Sequence, residues 1–131
     1  MKTLDQVRVL VVDDDDDSRE MIRIVLEAQG ATATCVAGAR EALAAFERDV
    51  PNIVLSDISM PGEDGHDFLR RLRALPRGRG GRVPAVALSG LTSSEARKAS
   101  RAAGFHYHLD KPVDPAKLVD ILESLVRLTR D

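Results

Sequence analysis

Five short apolar runs alternate along the chain with five stretches of helical periodicity, and this alternation limits the fold more than any other feature. The strand-like runs cover residues 7–12, 31–36, 53–56, 83–89 and 106–109. Continuous apolar runs of this kind are typical of strands buried on both faces of a parallel sheet. The pattern predicts an α/β fold of the (βα)5 type, with helices on both faces of the sheet and right-handed crossovers.

The helices between these runs are identified by apolar residues at spacings of three and four, which share one face of an amphipathic helix. A glycine or a proline follows several of them and predicts the helix end. The expected inward faces are Met21, Ile24, Val25 and Ala28; Ala39, Ala42, Leu43 and Phe46; Phe68, Leu69, Leu72 and Leu75; Ala96, Ala99, Ser100 and Ala103; and Leu118, Ile121, Leu122, Leu125 and Leu128. The segment PRGRGG at 76–81 is expected to form a flexible cationic surface loop.

Length and composition are those of an ordinary globular protein. The 131 residues suit one domain, 1–131, with a core of about 7–128. A formal net charge of -2 gives no field that would draw the domain to nucleic acid. The sequence shows neither an apolar stretch of about 20 residues nor a signal peptide, so we expect no membrane partner. The one cysteine, Cys35, excludes an internal disulfide and favours a cytoplasmic location.

Polar side chains of complementary chemistry stand at the ends of four predicted strands. Asp13 and Asp14 follow the first strand, Asp57 follows the third, Ser89 ends the fourth, and Lys111 follows the fifth. Ligands of open parallel sheets bind outside the carboxyl ends of the strands. We therefore expect these five side chains to converge on one edge of the sheet.

Three carboxylates at one edge repel one another unless a cation neutralises them. Mg2+ takes oxygen ligands and keeps several waters, so it suits such a site. Phosphoryl transfer requires in-line positioning and neutralisation of the equatorial phosphoryl oxygens, for which the metal, Lys111 and the hydroxyl of Ser89 are suited. Asp57 can then act as the nucleophile and form an acyl phosphate.

Each of these residues also has an ordinary structural interpretation. Asp57 can be a turn residue, Ser89 can belong to a turn with Gly90, and Lys111 can be a surface lysine before a helix. Their joint arrival at successive strand ends favours the functional interpretation over the separate structural ones.

The run of five aspartates at 13–17 raises a separate question, because like charges side by side repel. Asp17, with Glu20 three residues later, resembles a capping box, so we expect Asp17 to cap the first helix. Asp15 and Asp16 are then expected in a solvated loop. Only Asp13 and Asp14 are well placed for a metal.

The motifs VVDD, SDISMPGEDG, ALSG and LDKPVD, in this order and spacing, resemble those of the receiver domain of two-component response regulators. The resemblance covers about residues 7–128. It implies a flavodoxin-like sheet of strand order 2-1-3-4-5. It also implies that Asp57 takes a phosphoryl group from a sensor histidine kinase or a histidine phosphotransfer protein. Such a domain is a phosphorelay component and not a conventional enzyme, although it catalyses its own phosphorylation and dephosphorylation.

The resemblance assigns the metal ligands as well. It implies that Asp14 and Asp57 bind Mg2+, or Mn2+, directly, together with the backbone carbonyl of Ser59. Asp13 is implied to act through a water molecule.

The resemblance also assigns a switch. Ser89 is implied to be the switch hydroxyl, Lys111 to pair with the phosphoryl group, and the Lys111–Pro112 bond to be cis. His108 stands where the family usually has a tyrosine or phenylalanine, and Tyr107 is one place off, on the other face of the strand. His108 is expected either to swing as a flat ring or to make the switch sensitive to pH. The face of helix four, strand five and helix five is expected to change.

The three histidines do not form a predicted metal site. His66, His106 and His108 lack the spacing of metal ligands, and a surface position is the default expectation for them.

Three other classes of protein fit the sequence less well. An aspartyl phosphatase of the haloacid dehalogenase type typically has a second aspartate where this chain has Ser59. A calcium loop starting at Asp13 would place Ser18 at its glycine position and Ile24 at its glutamate position. A pseudo-receiver that is never phosphorylated remains as the alternative.

The partners beyond the phosphodonor are not specified by the sequence. The chain is interpreted as a stand-alone regulator or as part of a larger regulator or hybrid kinase. The motifs ALSG and HLDKPVD resemble those of receivers attached to hybrid sensor kinases and favour the second interpretation. A monomer or a weak dimer through helices four and five is expected.

Overall fold

The computed structural model of the chain describes residues 3–59, 64–90 and 93–129. Five strands and five α-helices alternate along the described residues. In chain order they are β1 (Arg8–Val12), α1 (Asp16–Ala28), β2 (Thr32–Val36), α2 (Ala39–Arg48), β3 (Ile53–Asp57), α3 (Gly65–Arg73), β4 (Ala85–Ser89), α4 (Ser94–Ala103), β5 (Tyr107–Asp110) and α5 (Pro115–Thr129).

The five strands form one parallel sheet of order β2-β1-β3-β4-β5. The predicted α/β class, the parallel (βα)5 architecture and the implied strand order are therefore confirmed. The chain moves to β2 on one side of β1 and then to β3 on the other. This reversal places the loops after β1 and β3 next to each other at the carboxyl edge, where ligands of such sheets bind.

Both faces of the sheet are covered, which explains why the strands are apolar without alternation. On one face, β1, β3 and β4 pack against α1 and α5, with Ile22, Leu26, Leu118 and Leu122 at the centre. On the other face the same strands pack against α2, α3 and α4, where Phe46 and Phe68 are the largest fully buried side chains of the whole fold. No helix among the described residues is long and apolar enough to cross a membrane.

The predicted inward face of the first helix is right for Met21 and Val25, which pack against the core, and wrong for Ile24 and Ala28, which are exposed. Ile22 and Leu26 are its fully buried residues, whereas Ile24 is 56% exposed. The helix has two overlapping apolar stripes, and the sheet takes the one that brings in the larger aliphatic side chains. Leu128 is also outside the core, at 74% exposure, because it lies in the last turn of α5 beyond the end of the sheet.

The segment PRGRGG, expected to be a flexible loop, has defined backbone structure. Arg77–Arg79 form one turn of 3-10 helix, and Gly80 follows with φ of +92°. A Cβ on Gly80 would lie 2.7 Å from the ring of Phe46, so a glycine is required both for the backbone angle and for the close approach. The arginines of this turn remain on the surface.

Candidate functional site

Asp13 is the most enclosed carboxylate at the carboxyl edge. It follows the last residue of β1 and has no exposed surface. Its Oδ1 accepts a hydrogen bond from the backbone N–H of Asp15 at 2.9 Å. Its Oδ2 accepts from the hydroxyl of Ser18 at 2.8 Å and from the ammonium of Lys111 at 3.1 Å. These donors hold the carboxylate in one orientation. Sequence reasoning did not find Ser18, whose position one turn into α1 is decided by where that helix begins.

The prediction that Asp17 caps the first helix is wrong, because the helix begins at Asp16. Asp15 is the cap, with an extended backbone and a side-chain Oδ1 that accepts from the N–H groups of Asp17 at 2.9 Å and Ser18 at 3.2 Å. Asp16 and Asp17 lie in the first turn, where the helix dipole favours negative charge. The aspartate run therefore divides between a buried site residue, a helix cap and two first-turn residues, with Asp14 exposed between them.

Asp57 ends β3 and is 5% exposed. Its Oδ1 accepts from the backbone N–H of Ser59 at 2.9 Å, and its Oδ2 accepts from the ammonium of Lys111 at 3.0 Å. Ser59 thus contacts the site through its backbone N–H, whereas the predicted role of its carbonyl as a metal ligand stays a prediction. The Asp57 carboxylate lies beside that of Asp13, since Lys111 contacts both.

Gly65 allows α3 to begin directly against the end of β3. A Cβ at this position would lie 2.3 Å from the carbonyl oxygen of Asp57 and 2.7 Å from the Cα of Ile58. The N–H of Gly65 donates to the carbonyl of Ile58 at 3.2 Å. Asp64 caps the helix by accepting from the N–H of Asp67 at 2.9 Å. Gly65 was not singled out as a site residue, although an Asp-Gly pair at a helix start was the available signal.

Lys111 follows β5 and places one cation between two carboxylates. Burial alone would lower the pKa of its ammonium, but the hydrogen bonds to Asp57 and Asp13 raise that pKa above its ordinary value. Burial raises the pKa of Asp57, and the Ser59 N–H and the Lys111 ammonium only partly offset this effect. The raised pKa of Lys111 and the raised pKa of Asp57 are consistent, because one ammonium binds two carboxylates and compensates neither of them fully. The Lys111–Pro112 peptide bond is cis, as expected.

The carboxylates of Asp13, Asp14 and Asp57 form an acidic cluster at this edge. One oxygen from each lies within 4.8 Å of the others, and no other such cluster of three acidic, histidine or cysteine side chains occurs among the described residues. The donors are all hard oxygens, and negative charge exceeds the charge of Lys111. A hard divalent cation such as Mg2+ fits this donor set.

Ser89 ends β4 and is buried, one residue beyond the register partner of Asp57. Its backbone carbonyl accepts from the N–H of Lys111 at 2.8 Å, which joins the ends of β4 and β5. The structure therefore brings Asp13, Asp14, Asp57, Ser89 and Lys111 to one edge of the sheet.

His108 and His66 are not the free surface residues that the sequence suggested. The side chain of His108 is 5% exposed, and its Nδ1 lies 3.3 Å from the hydroxyl oxygen of Ser100. The Nε2 of His66 lies 3.3 Å from the same oxygen. Tyr107 points outward and is exposed, as expected for the opposite face of the strand. Nothing in the spacing of these residues signalled the shared contact, because each lies on a different element.

A parallel sheet of order 2-1-3-4-5 with an acidic cluster and a lysine at its carboxyl edge is the arrangement of signal receivers of the chemotaxis-regulator type. The sequence model of the response regulator receiver domain matches residues 9–123. The chain therefore belongs to the response regulator receiver family. Receivers of this family bind Mg2+ at an acidic pocket and are not classical enzymes.

Known relatives differ widely in length. An uncharacterised 14.6 kDa protein from the sodA1 3′ region of Leptolyngbya boryana is 42% identical over 95% of this chain and 93% of its own length. The sensory/regulatory protein RpfC of Xanthomonas campestris is 37% identical over 95% of this chain, but the chain spans only 17% of that protein.

One solved structure combines the fold with a metal. The receiver domain of sensor histidine kinase PA1611 from Pseudomonas aeruginosa, with a magnesium ion coordinated in its active-site cleft, superposes with a TM-score of 0.83. It is 30% identical, and the superposition covers 92% of this chain and 98% of that one.

Proposed function

We propose that residues 1–131 form one receiver domain that accepts a phosphoryl group on Asp57 from a sensor histidine kinase or a histidine phosphotransfer protein. The observation that carries this proposal is the position of Lys111, whose ammonium lies 3.0 Å from Asp57 and 3.1 Å from Asp13. This places a fixed cation and an acidic cluster around one nearly buried carboxylate. The single cysteine, Cys35, is unpaired, which supports a reducing, cytoplasmic setting for these phosphotransfer partners.

The reaction forms one bond and breaks one bond. A carboxylate oxygen of Asp57 attacks the phosphorus, the P–N bond of the donor phosphohistidine breaks, and the leaving imidazole nitrogen takes up a proton. Lys111 and the N–H of Ser59 hold the two oxygens of Asp57, so the nucleophile is positioned before the donor arrives. The domain thus catalyses its own modification, and in the same way its dephosphorylation by water, without being a conventional enzyme.

We assign the metal to the carboxylates of Asp14 and Asp57 and the backbone carbonyl of Ser59, with Asp13 acting through water. Mg2+, or Mn2+ in its place, would neutralise the oxygens of the phosphoryl group. The oxygen-only donor set supports this assignment, and so does the charge of the site, because three carboxylates share one ammonium. The magnesium in the related PA1611 receiver supports it as well.

We further propose that phosphorylation draws the hydroxyl of Ser89 toward the new phosphoryl group and that the ring of His108 follows. The face formed by α4, β5 and α5 then changes and is read by a downstream partner, which would be a protein and not nucleic acid. This is a local change of charge that biases a bistable surface. A beryllofluoride phosphate mimic should shift NMR signals of residues 93–128, and unchanged signals there would contradict the switch. Sedimentation should find a monomer or a weak dimer.

The test of phosphorylation is the intact mass after incubation with acetyl phosphate and Mg2+. The wild-type protein should gain one phosphoryl group, Asp57→Asn should gain none, and Asp67→Asn should behave as wild type. Asp67 is the matched control because it is an exposed aspartate on α3. An adduct that persists in Asp57→Asn would contradict the assignment. If neither acetyl phosphate nor a phosphorylated histidine kinase modifies a protein that still binds Mg2+, the domain is a pseudo-receiver.

A further inference from the structure

We propose that Ser100 and His66 are positioning residues that hold the ring of His108 in its inward position, through hydrogen bonds that run from His66 through Ser100 to His108. The inference rests on the proposed function, in which His108 is the mobile ring of the switch. It assigns roles to two residues that lie on different helices and outside the carboxylate site.

The contact joins three elements of the fold at one oxygen atom. Ser100 lies on α4 and is 1% exposed, and its hydroxyl is 3.3 Å from Nδ1 of His108 on β5. The same hydroxyl is 3.3 Å from Nε2 of His66 on α3. The ring of His66 is itself held by Phe105, with the two rings edge-on and 6.4 Å between their centroids. A buried hydroxyl between two imidazoles is an ordered arrangement, since any other rotamer of Ser100 would lose both contacts.

Counting protons limits how these groups can bond. A serine hydroxyl has one proton to donate and can accept at its lone pairs. It can therefore donate to only one of the two imidazoles. The other imidazole must present an N–H to the serine oxygen. Only two directions are possible when both rings are neutral, from His66 to His108 or the reverse.

Asp110 selects the direction. Its Oδ1 lies 3.9 Å from Nε2 of His108, and Arg97 donates to both of its oxygens at 3.0 and 3.2 Å. The two atoms are beyond hydrogen-bond distance, but the negative charge of the carboxylate favours a proton over a lone pair on Nε2 of His108. Nδ1 is then the acceptor, so Ser100 donates to it and His66 donates to Ser100. A phenylalanine at position 108 has no acceptor for this hydroxyl, so the serine and the histidine form a matched pair.

A pocket lies where the ring of His108 would turn if it moved outward. A surface pocket of about 190 Å3 lies beside the ring and is lined by Arg97, Ser100, Arg101, Tyr107 and His108, among others. Moving the ring away from Ser100 would break the hydrogen bond, and the buried hydroxyl would regain an acceptor only if His66 changed its tautomer. The loss of one such hydrogen bond changes the ratio of inward to outward rings by about tenfold. Ser100 therefore sets how far the unphosphorylated domain favours the inward ring.

The experiment is 15N NMR of the imidazole rings in the unphosphorylated protein, with nuclear Overhauser contacts between His108 and residue 100. The wild-type His108 should be in the Nε2–H tautomer with a measurable inward population of its ring, which phosphorylation then increases. Ser100→Ala should mix the tautomers and raise the outward population about tenfold, and Ser100→Thr, which keeps the hydroxyl, should restore the wild-type signals. His66→Phe keeps a ring against Phe105 but removes the donor to Ser100, so the outward population of His108 should rise, by less than in Ser100→Ala, while the tautomer stays unchanged. Ser94→Ala, an exposed serine of the same helix, is the control.

Two results would overturn the proposal. One is an Nδ1–H tautomer of His108 in the wild-type protein, which decides the question even if Ser100→Ala fails to fold. The other is an inward population that is the same in folded Ser100→Ala and in wild type. Failure of the proposed function is read separately, because the phosphoryl adduct on Asp57 and the beryllofluoride shifts are measured without reference to the tautomer.

Discussion

Two half-buried cations, Lys111 and Arg73, are held in opposite ways. The ammonium of Lys111 contacts the carboxylates of Asp13 and Asp57. The guanidinium of Arg73 donates to neutral oxygens, twice to the carbonyl of Gly104 at 3.1 and 2.7 Å and once to that of Gly81 at 3.1 Å. Within the described residues Arg73 has no ion pair.

The difference separates a functional site from a structural one. Burial lowers the pKa of Arg73, but a guanidinium remains protonated in proteins, and its carbonyl partners cannot titrate or exchange ligands. Its bonds join α3 to the turn before β4 and to the end of α4. At Lys111 the three carboxylates of the acidic cluster carry more negative charge than one ammonium neutralises, so the site can accept a further cation. Both cations have hydrogen-bond partners, so the partners alone do not distinguish the two places. The excess of negative charge around Lys111 does.

The largest expected effect on stability comes from removing the structural cation. Arg73→Met should lower the free energy of unfolding by about 2–3 kcal/mol, because the carbonyls of Gly104 and Gly81 lose their donors. Arg70→Met, one turn earlier at an exposed ion pair with Asp67, should change it by less than about 1 kcal/mol. Urea denaturation of both variants makes the measurement. Equal effects would show that the carbonyl-held cation has no special structural weight.

Gly65→Ala should disturb the functional site through the backbone. The added methyl would lie 2.3 Å from the carbonyl oxygen of Asp57, so α3 must shift, and we expect a loss of about 2 kcal/mol together with slower phosphorylation of Asp57. Gly78→Ala is the control, since a Cβ there meets no atom within 4 Å. Thermal unfolding and the intact-mass assay are the readouts. A variant with wild-type stability would contradict the close packing of α3 on β3.

Magnesium should stabilise the domain through the acidic cluster and independently of Arg73. At ten times its Kd, Mg2+ should raise the free energy of unfolding by about 1.4 kcal/mol in wild type. The same increment should appear in Arg73→Met, whose substitution is remote from the acidic cluster. It should vanish in Asp14→Asn and Asp57→Asn, each of which removes a carboxylate from that cluster. Denaturation with and without Mg2+ measures this, and an undiminished increment in Asp57→Asn would argue for a different cation site.

The smallest effect is the pH dependence of Asp57 in the metal-free protein. Its pKa is raised by burial, so the folded state keeps a proton longer than the unfolded state, and stability falls as the pH rises from the ordinary carboxyl pKa to the raised one. Asp57→Asn lacks this loss. Its free energy of unfolding should therefore rise relative to that of wild type through that acidic range, and the difference between the two proteins should be constant at neutral pH. The raised pKa of Lys111 acts only in alkaline solution. A stability difference between the two proteins that does not change with pH would contradict a raised pKa.

The sequence by itself determined the sheet and the contents of its carboxyl edge. Strand-like runs and helical stripes are local patterns, and the residue after each strand is known once the strand is recognised. Asp13, Asp57, Ser89 and Lys111 were therefore placed together correctly, since parallel strands bring their carboxyl ends to one edge. The family resemblance supplied the strand order, which periodicity does not contain.

Only the tertiary structure decided which residue caps the first helix and which of its apolar stripes is buried. Asp15 and Asp17 are both able to cap a helix, and the backbone angles after β1 selected Asp15. The first helix has two apolar stripes, and the sheet selected Ile22 and Leu26. The contacts of Ser100 with His66 and His108, and of Arg73 with Gly104, join residues that are distant along the chain or lie on different elements. Such contacts depend on how helices pack on the sheet, and a one-dimensional pattern does not encode that packing.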